Sequence, residues 1–272
     1  MSAEQPIMRL EDVRFAYHRE NPVIDGLSAQ VHAGRFHALI GPNAAGKTTL
    51  LKLMLGQLAA GRGRVLLDDR RVRRWSTSQR AAWMSYVPQR SSVGFAFTVA
   101  QVVAMGRYAL PWSGEALGEA LSVCELTELA SRPYNELSVG QQQRVLMARA
   151  LAQSWGEGRV MLLDEPVSAM DLSHVHRSMR ALKGLTGRGV AVVAVLHDLN
   201  LAARYADEVW LIGDGRMIAQ GEWASVLRAE VLEPIYDVRI RTLATESVET
   251  GELPRPVFDV RLRDDGKESY NQ

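Results

Sequence analysis

Short apolar runs, each followed by turn-forming or polar residues, dominate the pattern of hydrophobic and polar positions in this chain. Three runs, at 36–40, 160–163 and 189–196, are almost continuously apolar. A strand that is covered on both faces needs no alternation, so we interpret these runs as buried strands of a parallel sheet. The segments 7–16 and 23–31 alternate in part, which predicts strands of a small antiparallel sheet ahead of the first buried strand.

The rest of the chain divides into further strands and one helical region. Segment 63–68 has the character of a short strand, segment 83–88 carries a strand at 84–87, and residues 98–153 have apolar side chains at intervals of three and four. That period predicts an inserted all-helical segment of about 60 residues. Apolar runs on either side of Gly213-Asp214-Gly215 predict a hairpin. The polar C-terminal part contains two short β-like runs, and its charged end is expected to fray.

The most informative stretch follows the first buried strand. Residues 41–48 read GPNAAGKT and fit the motif G-x-x-x-x-G-K-[ST], and an apolar helix pattern continues from Thr49. A tight loop at a helix N-terminus directs backbone N–H groups and the positive end of the helix dipole inward, where phosphate oxygens bind. Lys47 would reach the β- and γ-phosphates, and the Thr48 hydroxyl would bind Mg²⁺. The stretch therefore predicts a nucleotide site.

Polar side chains stand at the carboxyl ends of the other two buried strands. Asp164 and Glu165 follow the second strand, and His197 follows the third. Open α/β sheets bind ligands at this edge. Asp164 is therefore placed to hold Mg²⁺ through water, and Glu165 to polarise an attacking water. For His197, a packing or capping role and a functional role both remain open.

Three other positions have both a structural and a functional interpretation. Tyr17 could stack on a purine or simply end a strand. Gln89 could bring its side-chain oxygen to a metal or a water, or it could be an ordinary surface residue. Ser138 and Gln141 form the pattern of a capping box at a helix start, where free N–H groups could bind an anion.

Composition narrows the choice of partners. The 272 residues are 47% hydrophobic and 23% charged, and the net charge is +1. These values are ordinary for a globular protein and give no reason to expect nucleic acid or an anionic membrane as the main partner. A single cysteine, Cys124, is expected to be a small core residue on a helix. No apolar run approaches about 18 residues and no secretion signal is evident, so the sequence predicts neither a membrane span nor export.

Together, the motifs resemble the ATP-binding subunit of ATP-binding-cassette (ABC) transporters over residues 7–235. Six short motifs occur in the order of that family. They are the phosphate loop at 41–48, the Q-loop glutamine Gln89, the LSVGQ signature at 137–141, the Walker B pair Asp164 and Glu165, the SAMD loop at 168–171 and the switch histidine His197. Tyr17 matches the aromatic residue that stacks on adenine.

The resemblance implies an ATP site with Mg²⁺ and assigns residues to it. The nucleotide-binding residues would be Tyr17, Gly41, Pro42, Asn43, Ala44, Ala45, Gly46, Lys47, Thr48, Thr49, Ser138, Gly140, Gln141 and Asp171. The catalytic residues would be Lys47, Gln89, Glu165 and His197, and the Mg²⁺ ligands Thr48, Gln89 and Asp164. The sequence departs from the family at Ala44 and Val139, where glycine is usual, and at Val167, where threonine is usual. Ala44 would be strained if its φ were positive.

The implied architecture is the α/β ABC ATPase fold, a P-loop NTPase (RecA-like) core with an antiparallel β-subdomain and an inserted α-helical subdomain. We expect an ATPase domain at 1–235 and a C-terminal extension at 236–272. Within the domain, 1–88 and 156–235 would form the core and β-subdomain, and 89–155 the helical subdomain.

The resemblance also implies an assembly. Two copies would meet head to tail, with each ATP between one phosphate loop and Ser138 and Gly140 of the other copy. The homodimer would bind two integral-membrane permease subunits at the cytoplasmic face of the cell membrane. A periplasmic or surface substrate-binding protein would take part indirectly, and nucleic acid would not.

For the cargo, segments 98–108 and 195–207 resemble importers of iron chelates and cobalamin, and 154–159 and 171–174 resemble the haem-import branch. Haem is therefore favoured over ferric siderophore or cobalamin. His174 and His176 are interpreted as a solvated helix start and not as haem ligands, because cargo crosses in the membrane subunits.

Two other functional classes compete with a transport ATPase. A soluble ABC ATPase of DNA repair, chromosome maintenance or translation is disfavoured, because the chain has one cassette and a short spacing between Lys47 and Ser138. A regulatory nucleotide-binding module without turnover is disfavoured by the presence of Glu165 and His197.

Overall fold

The computed structural model describes residues 5–18, 21–89, 96–156, 159–243 and 255–262. The strands in this part of the chain are β1 Met8–Phe15, β2 Ile24–Val31, β3 Phe36–Ile40, β4 Arg62–Leu67, β5 Arg70–Arg71, β6 Met84–Val87, β7 Val160–Asp164, β8 Ala191–Val195, β9 Glu208–Gly213, β10 Arg216–Glu222, β11 Val238–Leu243 and β12 Val257–Leu262. The helices are α1 Lys47–Met54, α2 Thr77–Trp83, α3 Val99–Ala104, α4 Gly114–Val123, α5 Val139–Ser154, α6 Leu172–Thr186, α7 Leu199–Tyr205, α8 Trp223–Val226 and α9 Ala229–Tyr236.

A six-stranded sheet in the order β10-β9-β3-β8-β7-β6 forms the centre of the molecule. The strands from β9 to β6 pair in parallel, and β10 pairs antiparallel with β9. Every residue of β3, β7 and β8 is buried. The prediction that the three continuous apolar runs are buried parallel strands is therefore confirmed, and the reason is that helices and the second sheet cover both faces.

The second sheet is antiparallel, with the order β2-β1-β4-β5. Its apolar side chains pack with Leu50 and Leu51 of α1 and with the adjacent face of the central sheet in one core cluster. The predicted small antiparallel sheet is thus present. The predicted hairpin is formed by β9 and β10, and Asp214 and Gly215 both have positive φ, 46° and 73°.

Helices α3, α4 and α5 form the predicted helical region. Val99, Val102 and Val103 are buried, and Cys124 is a buried free thiol that caps α4. Both expectations are confirmed. The strand predicted at 84–87 is confirmed as β6, whereas helix α2, which ends at Trp83, was not predicted. The signal for α2 is a capping box formed by Ser76 and Gln79, which satisfies the first backbone N–H groups of the helix.

The C-terminal part packs against the end of the core. Strands β11 and β12, the two predicted β-like runs, form a two-stranded antiparallel sheet. The Asn200 side chain in α7 accepts from the Phe258 backbone N–H at 2.7 Å and donates to its carbonyl at 3.3 Å. The Arg255 side chain donates to the carbonyls of Ala203 and Ala206. The charged end at 263–272 lies outside the described residues, and the domain boundaries stay predictions.

Candidate functional site

The candidate site lies at the carboxyl ends of four strands of the central sheet. The loop 41–48 follows β3, Gln89 lies two residues after β6, Glu165 follows β7 and His197 lies two residues after β8. Because β3, β8, β7 and β6 are neighbours and parallel, these four segments emerge at the same edge. The sheet order therefore brings together residues that are far apart in the sequence.

Backbone geometry shapes the loop 41–48. Gly41 has φ 149°, and a Cβ there would lie 2.1 Å from the Ile212 carbonyl oxygen. Gly46 has φ 96°, caps α1, and has room only for hydrogen because a Cβ would lie 2.7 Å from the Val23 carbonyl oxygen. Ala44 has φ 64°, so the strain anticipated from the sequence is present. A non-glycine residue in this region costs on the order of 1–2 kcal/mol.

The side chain of Lys47 folds back onto the start of the loop 41–48. Its Nζ donates to the carbonyl oxygens of Gly41 and Pro42, both at 2.8 Å. Burial lowers the pKa of Lys47, and the charges of Glu165 and Asp164 act in the opposite direction. The ammonium group is thus held at the first two residues of the loop, near the carboxylates of Glu165 and Asp164.

Thr48 and Asp164 meet beside the loop. Their side chains are hydrogen-bonded, and Asp164 is 1% exposed. Its Oδ1 has no hydrogen-bond partner among the described residues. Burial raises the pKa of Asp164, and the bond from Thr48 acts against that rise. An unpaired, buried carboxylate oxygen next to a hydroxyl is suited to bind a cation.

Glu165 contacts two of the other predicted residues. Its Oε1 lies 2.6 Å from Nε2 of His197, and the Gln89 side chain also hydrogen-bonds it. Burial raises the pKa of Glu165, but these hydrogen bonds and the charges of His197 and Lys47 outweigh it, so the pKa is lowered. The backbone of Glu165 has φ 51°, a left-handed conformation that costs on the order of 1–3 kcal/mol and is concentrated at functional sites.

Tyr17 lies beside the start of α1. Its ring is 54% exposed and packs edge-on against Phe15 with the centroids 4.9 Å apart. Its hydroxyl is 3.5 Å from the Thr49 Oγ1. An exposed aromatic face next to a phosphate-binding loop is suited to stacking on a base.

Ser138, Gly140 and Gln141 lie at the start of α5. Ser138 caps the helix, and its side chain and that of Gln141 form the predicted capping box. Gly140 lies against Ala169, because a Cβ at 140 would be 2.7 Å from the Ala169 carbonyl oxygen. In the described part of the chain, none of these contacts reaches the loop 41–48.

Asp171 caps α6 and is bonded within its own turn. Its carboxylate accepts from the His174 backbone N–H at 3.0 Å and from Ser173 Oγ at 2.9 Å, and it lies 2.7 Å from His174 Nδ1. These bonds lower the pKa of Asp171 to about 2. His174 Nε2 faces Glu125 Oε2 at 3.1 Å. His174 thus lies in the exposed first turn of α6, with its two ring nitrogens facing Asp171 and Glu125.

A second group of candidate metal ligands lies away from this edge and consists of His32, His37 and Glu208. His37 Nε2 accepts the His32 backbone N–H at 3.2 Å, so the proton of the neutral ring is assigned to Nδ1. That nitrogen faces Glu208 Oε2 at 3.5 Å. In this tautomer His37 offers no free lone pair to a metal ion, because Nδ1 carries the proton and Nε2 accepts from the His32 backbone.

Comparison with known proteins decides the family. The model of the ABC transporter family matches residues 24–168, which is more than half of the chain. This chain belongs to the ABC transporter family. It is similar to the hemin import ATP-binding protein HmuV of Pseudomonas fluorescens, with 43% identity over 84% of this chain and 91% of that protein. It is 41% identical to HmuV of Rhodococcus jostii over 79% of this chain and 75% of that protein.

Solved structures agree with this assignment. A metal-chelate type ABC transporter in an inward-facing conformation matches with a TM-score of 0.76 and 27% identity over 94% of this chain and 97% of that one. A dimeric bacterial ABC transporter cassette matches with a TM-score of 0.72 and 28% identity over 79% of this chain and 98% of that one. The predicted ABC ATPase fold is therefore confirmed.

As an ABC transporter ATP-binding subunit, the chain binds ATP and is an ATPase coupled to transport. Within the described residues, no helix is long and apolar enough to cross a membrane. An ATPase subunit of this kind depends on membrane permease partners for the transport step.

The structure adds a residue that the sequence interpretation missed. Gln143 is buried in α5 and bonds the backbone of Glu165 and Ala169. The available signal was a polar residue on the apolar stripe of a helix, three and four positions before the buried Leu146 and Met147.

Proposed function

We propose that this chain is the ATP-hydrolysing subunit of a complex that imports haem or a related iron chelate. The support for this cargo is the extended similarity to hemin import proteins from Pseudomonas, Rhodococcus and Streptomyces, at 41–43% identity. A ferric siderophore or cobalamin is the alternative, and the match to a metal-chelate type transporter is compatible with it.

The contact between Glu165 and His197 is the observation that carries the catalytic part of the proposal. The lowered pKa keeps the Glu165 carboxylate ionised at neutral pH, so it can accept a hydrogen bond from a water and orient that water for attack. His197, 2.6 Å from the carboxylate, fixes its orientation and is placed to contact the γ-phosphate. Lys47 supplies a positive charge at the loop.

Mg²⁺ fits the residues beside the loop. The unpaired Oδ1 of Asp164 and the hydroxyl of Thr48 are oxygen ligands of the type that Mg²⁺ prefers, and a cation would offset the burial of the acid. We assign Thr48, Asp164 and Gln89 as the residues that hold it. When bound, the ion neutralises charge on the β- and γ-phosphates.

The remaining residues bind the nucleotide. Backbone N–H groups of 41–49 hold the phosphates at the start of α1, and Tyr17 stacks on the adenine. Ser138, Gly140, Gln141 and Asp171 act on the nucleotide of a second copy in a head-to-tail homodimer. The exposed helix start at Ser138 and the 70% exposed Val139 support this role, because they leave this surface open to a partner.

The complex would place this chain at the cytoplasmic face of the cell membrane, bound to two permease subunits, with a substrate-binding protein outside. The ATPase dimer would close on ATP and open after hydrolysis, and this domain motion would be passed to the permeases. The residues 1–235 would form the ATPase domain, and 236–272 an extension.

Glu165→Gln tests the catalytic assignment. Loss of the carboxylate should lower ATP turnover by at least about 100-fold while ATP still binds, so that an ATP-dependent dimer accumulates in gel filtration. Glu128→Gln, at an exposed position outside the site, is the matched control and should leave turnover unchanged. Turnover retained in Glu165→Gln would remove Glu165 from this role.

Reconstitution tests the cargo. The chain would be assembled with its permease in vesicles, and ATPase activity compared with haem-loaded and siderophore-loaded binding protein. Stimulation by the haem-loaded protein is the expected result. Stimulation by the siderophore-loaded protein alone would replace haem with the alternative cargo.

A further inference from the structure

Gln143 is a buried amide that bridges two elements. It lies in the second turn of α5 and is 7% exposed. Its Nε2 donates to the Glu165 carbonyl oxygen at 2.8 Å, and its Oε1 accepts from the Ala169 backbone N–H at 3.0 Å. The single amide therefore holds both ends of the segment 165–169. This segment connects the end of β7 to the turn before α6.

The Glu165 carbonyl is a sensitive place for such a bond. With φ at 51°, this residue is in a conformation that its neighbours must maintain. The same carbonyl accepts from Ser168 through the backbone N–H at 3.4 Å and through Oγ at 3.2 Å. The bond from Gln143 is the shortest of the three, so it contributes most to fixing the peptide plane that follows Glu165.

A second contact joins the same two elements. Gly140, one turn before Gln143, has no room for a Cβ because the Ala169 carbonyl oxygen would lie 2.7 Å from it. Two consecutive turns of α5 thus contact the segment 165–169 of the same protomer. Any displacement of α5 relative to the central sheet must move or break the bond to Glu165.

We infer that Gln143 is a positioning residue for Glu165 of its own protomer. It holds the left-handed backbone that directs the carboxylate to His197, and it ties that orientation to α5. This inference rests on the proposed catalytic role of Glu165 and on the proposed dimer. In that dimer, α5 begins at the residues that contact the nucleotide of the other protomer. Contact of α5 with the nucleotide of the other protomer therefore controls the orientation of Glu165 at the ATP site of its own protomer.

Steady-state ATPase kinetics of Gln143→Ala and Gln143→Glu test the inference, with Glu165→Gln measured in parallel. The expected result is a fall in kcat of about 10- to 100-fold with KM for ATP unchanged. ATP-dependent dimerisation in gel filtration should be retained. Gln143→Glu has almost the same shape and can still accept from Ala169, but it cannot donate to Glu165. It should therefore lose as much kcat as Gln143→Ala, and it supplies the comparison if the alanine variant does not fold.

Gln142→Ala is the matched control. This neighbouring amide donates to the Tyr134 carbonyl at 3.2 Å, within the helical region, and its loss should leave kcat near the wild-type value. An unchanged kcat in Gln143→Ala, or in Gln143→Glu alone, overturns the inference. So does a raised KM with loss of the ATP-dependent dimer, which would place Gln143 in the nucleotide contact instead. If Glu165→Gln retains turnover, the proposed function itself fails, whereas an inactive Glu165→Gln with normal Gln143 variants refutes only this inference.

Discussion

Replacing Ala44 by glycine should stabilise the protein, although most substitutions in a phosphate-binding loop would be expected to harm it. Ala44 is exposed and has φ 64°, where an L-residue with a Cβ is strained. The strain costs on the order of 1–2 kcal/mol, and glycine has none at this φ. Glycine also makes the unfolded chain more flexible, which costs about 0.4–1 kcal/mol. At the middle of both ranges, the net gain in the free energy of unfolding is about 0.8 kcal/mol.

Ala45→Gly is the matched control, because it makes the same chemical change one residue further along the loop. Ala45 is 4% exposed and does not have a positive φ. Glycine there adds the same flexibility to the unfolded chain and also removes a buried methyl group worth about 0.8 kcal/mol. The control should lose about 1–2 kcal/mol.

Thermal unfolding by calorimetry without nucleotide measures both changes. For a chain of this size the Tm of Ala44→Gly should rise by about 2 °C, and the Tm of Ala45→Gly should fall by about 3–6 °C. The opposite signs are the essential result, because they separate the backbone strain from a general effect of glycine. A fall in Tm of similar size for both variants would show that Ala44 is not strained, and the reasoning would be wrong.

Three further outcomes are expected. Tyr17→Ala should raise KM for ATP by about 5- to 150-fold, since stacking on a base contributes about 1–3 kcal/mol, and Tyr17→Trp should keep KM near the wild-type value. ATPase activity should fall as the pH drops through the lowered pKa of Glu165, because the protonated carboxyl no longer accepts a hydrogen bond from the attacking water. In His197→Gln the residual activity should fall at a higher pH than in the wild type, since His197 helps to lower that pKa. Gly118→Ala, in α4 with open space around it, should raise the free energy of unfolding by about 0.5–1 kcal/mol, whereas Gly41→Ala should be severely destabilising because its Cβ would overlap a backbone carbonyl.

The nucleotide loop could be recognised from the sequence because its determinants are contiguous. The residues 41–48 and the start of α1 need only their own order to form a loop at a helix N-terminus, and the buried strands β3, β7 and β8 are apolar throughout. The capping box of Ser138 and Gln141 is likewise local, with its two partners three residues apart. Contacts of this kind depend on spacing along the chain and therefore appear in the sequence pattern.

Only the tertiary structure decided how the site residues meet. The contact of Glu165 with His197 and Gln89 depends on the order β8-β7-β6 in the central sheet, which no local pattern specifies. The role of Gln143 depends on the packing of α5 against the segment 165–169. Such partners are separated by tens of residues, so their side chains come within hydrogen-bond distance only after the strands have paired and the helices have packed.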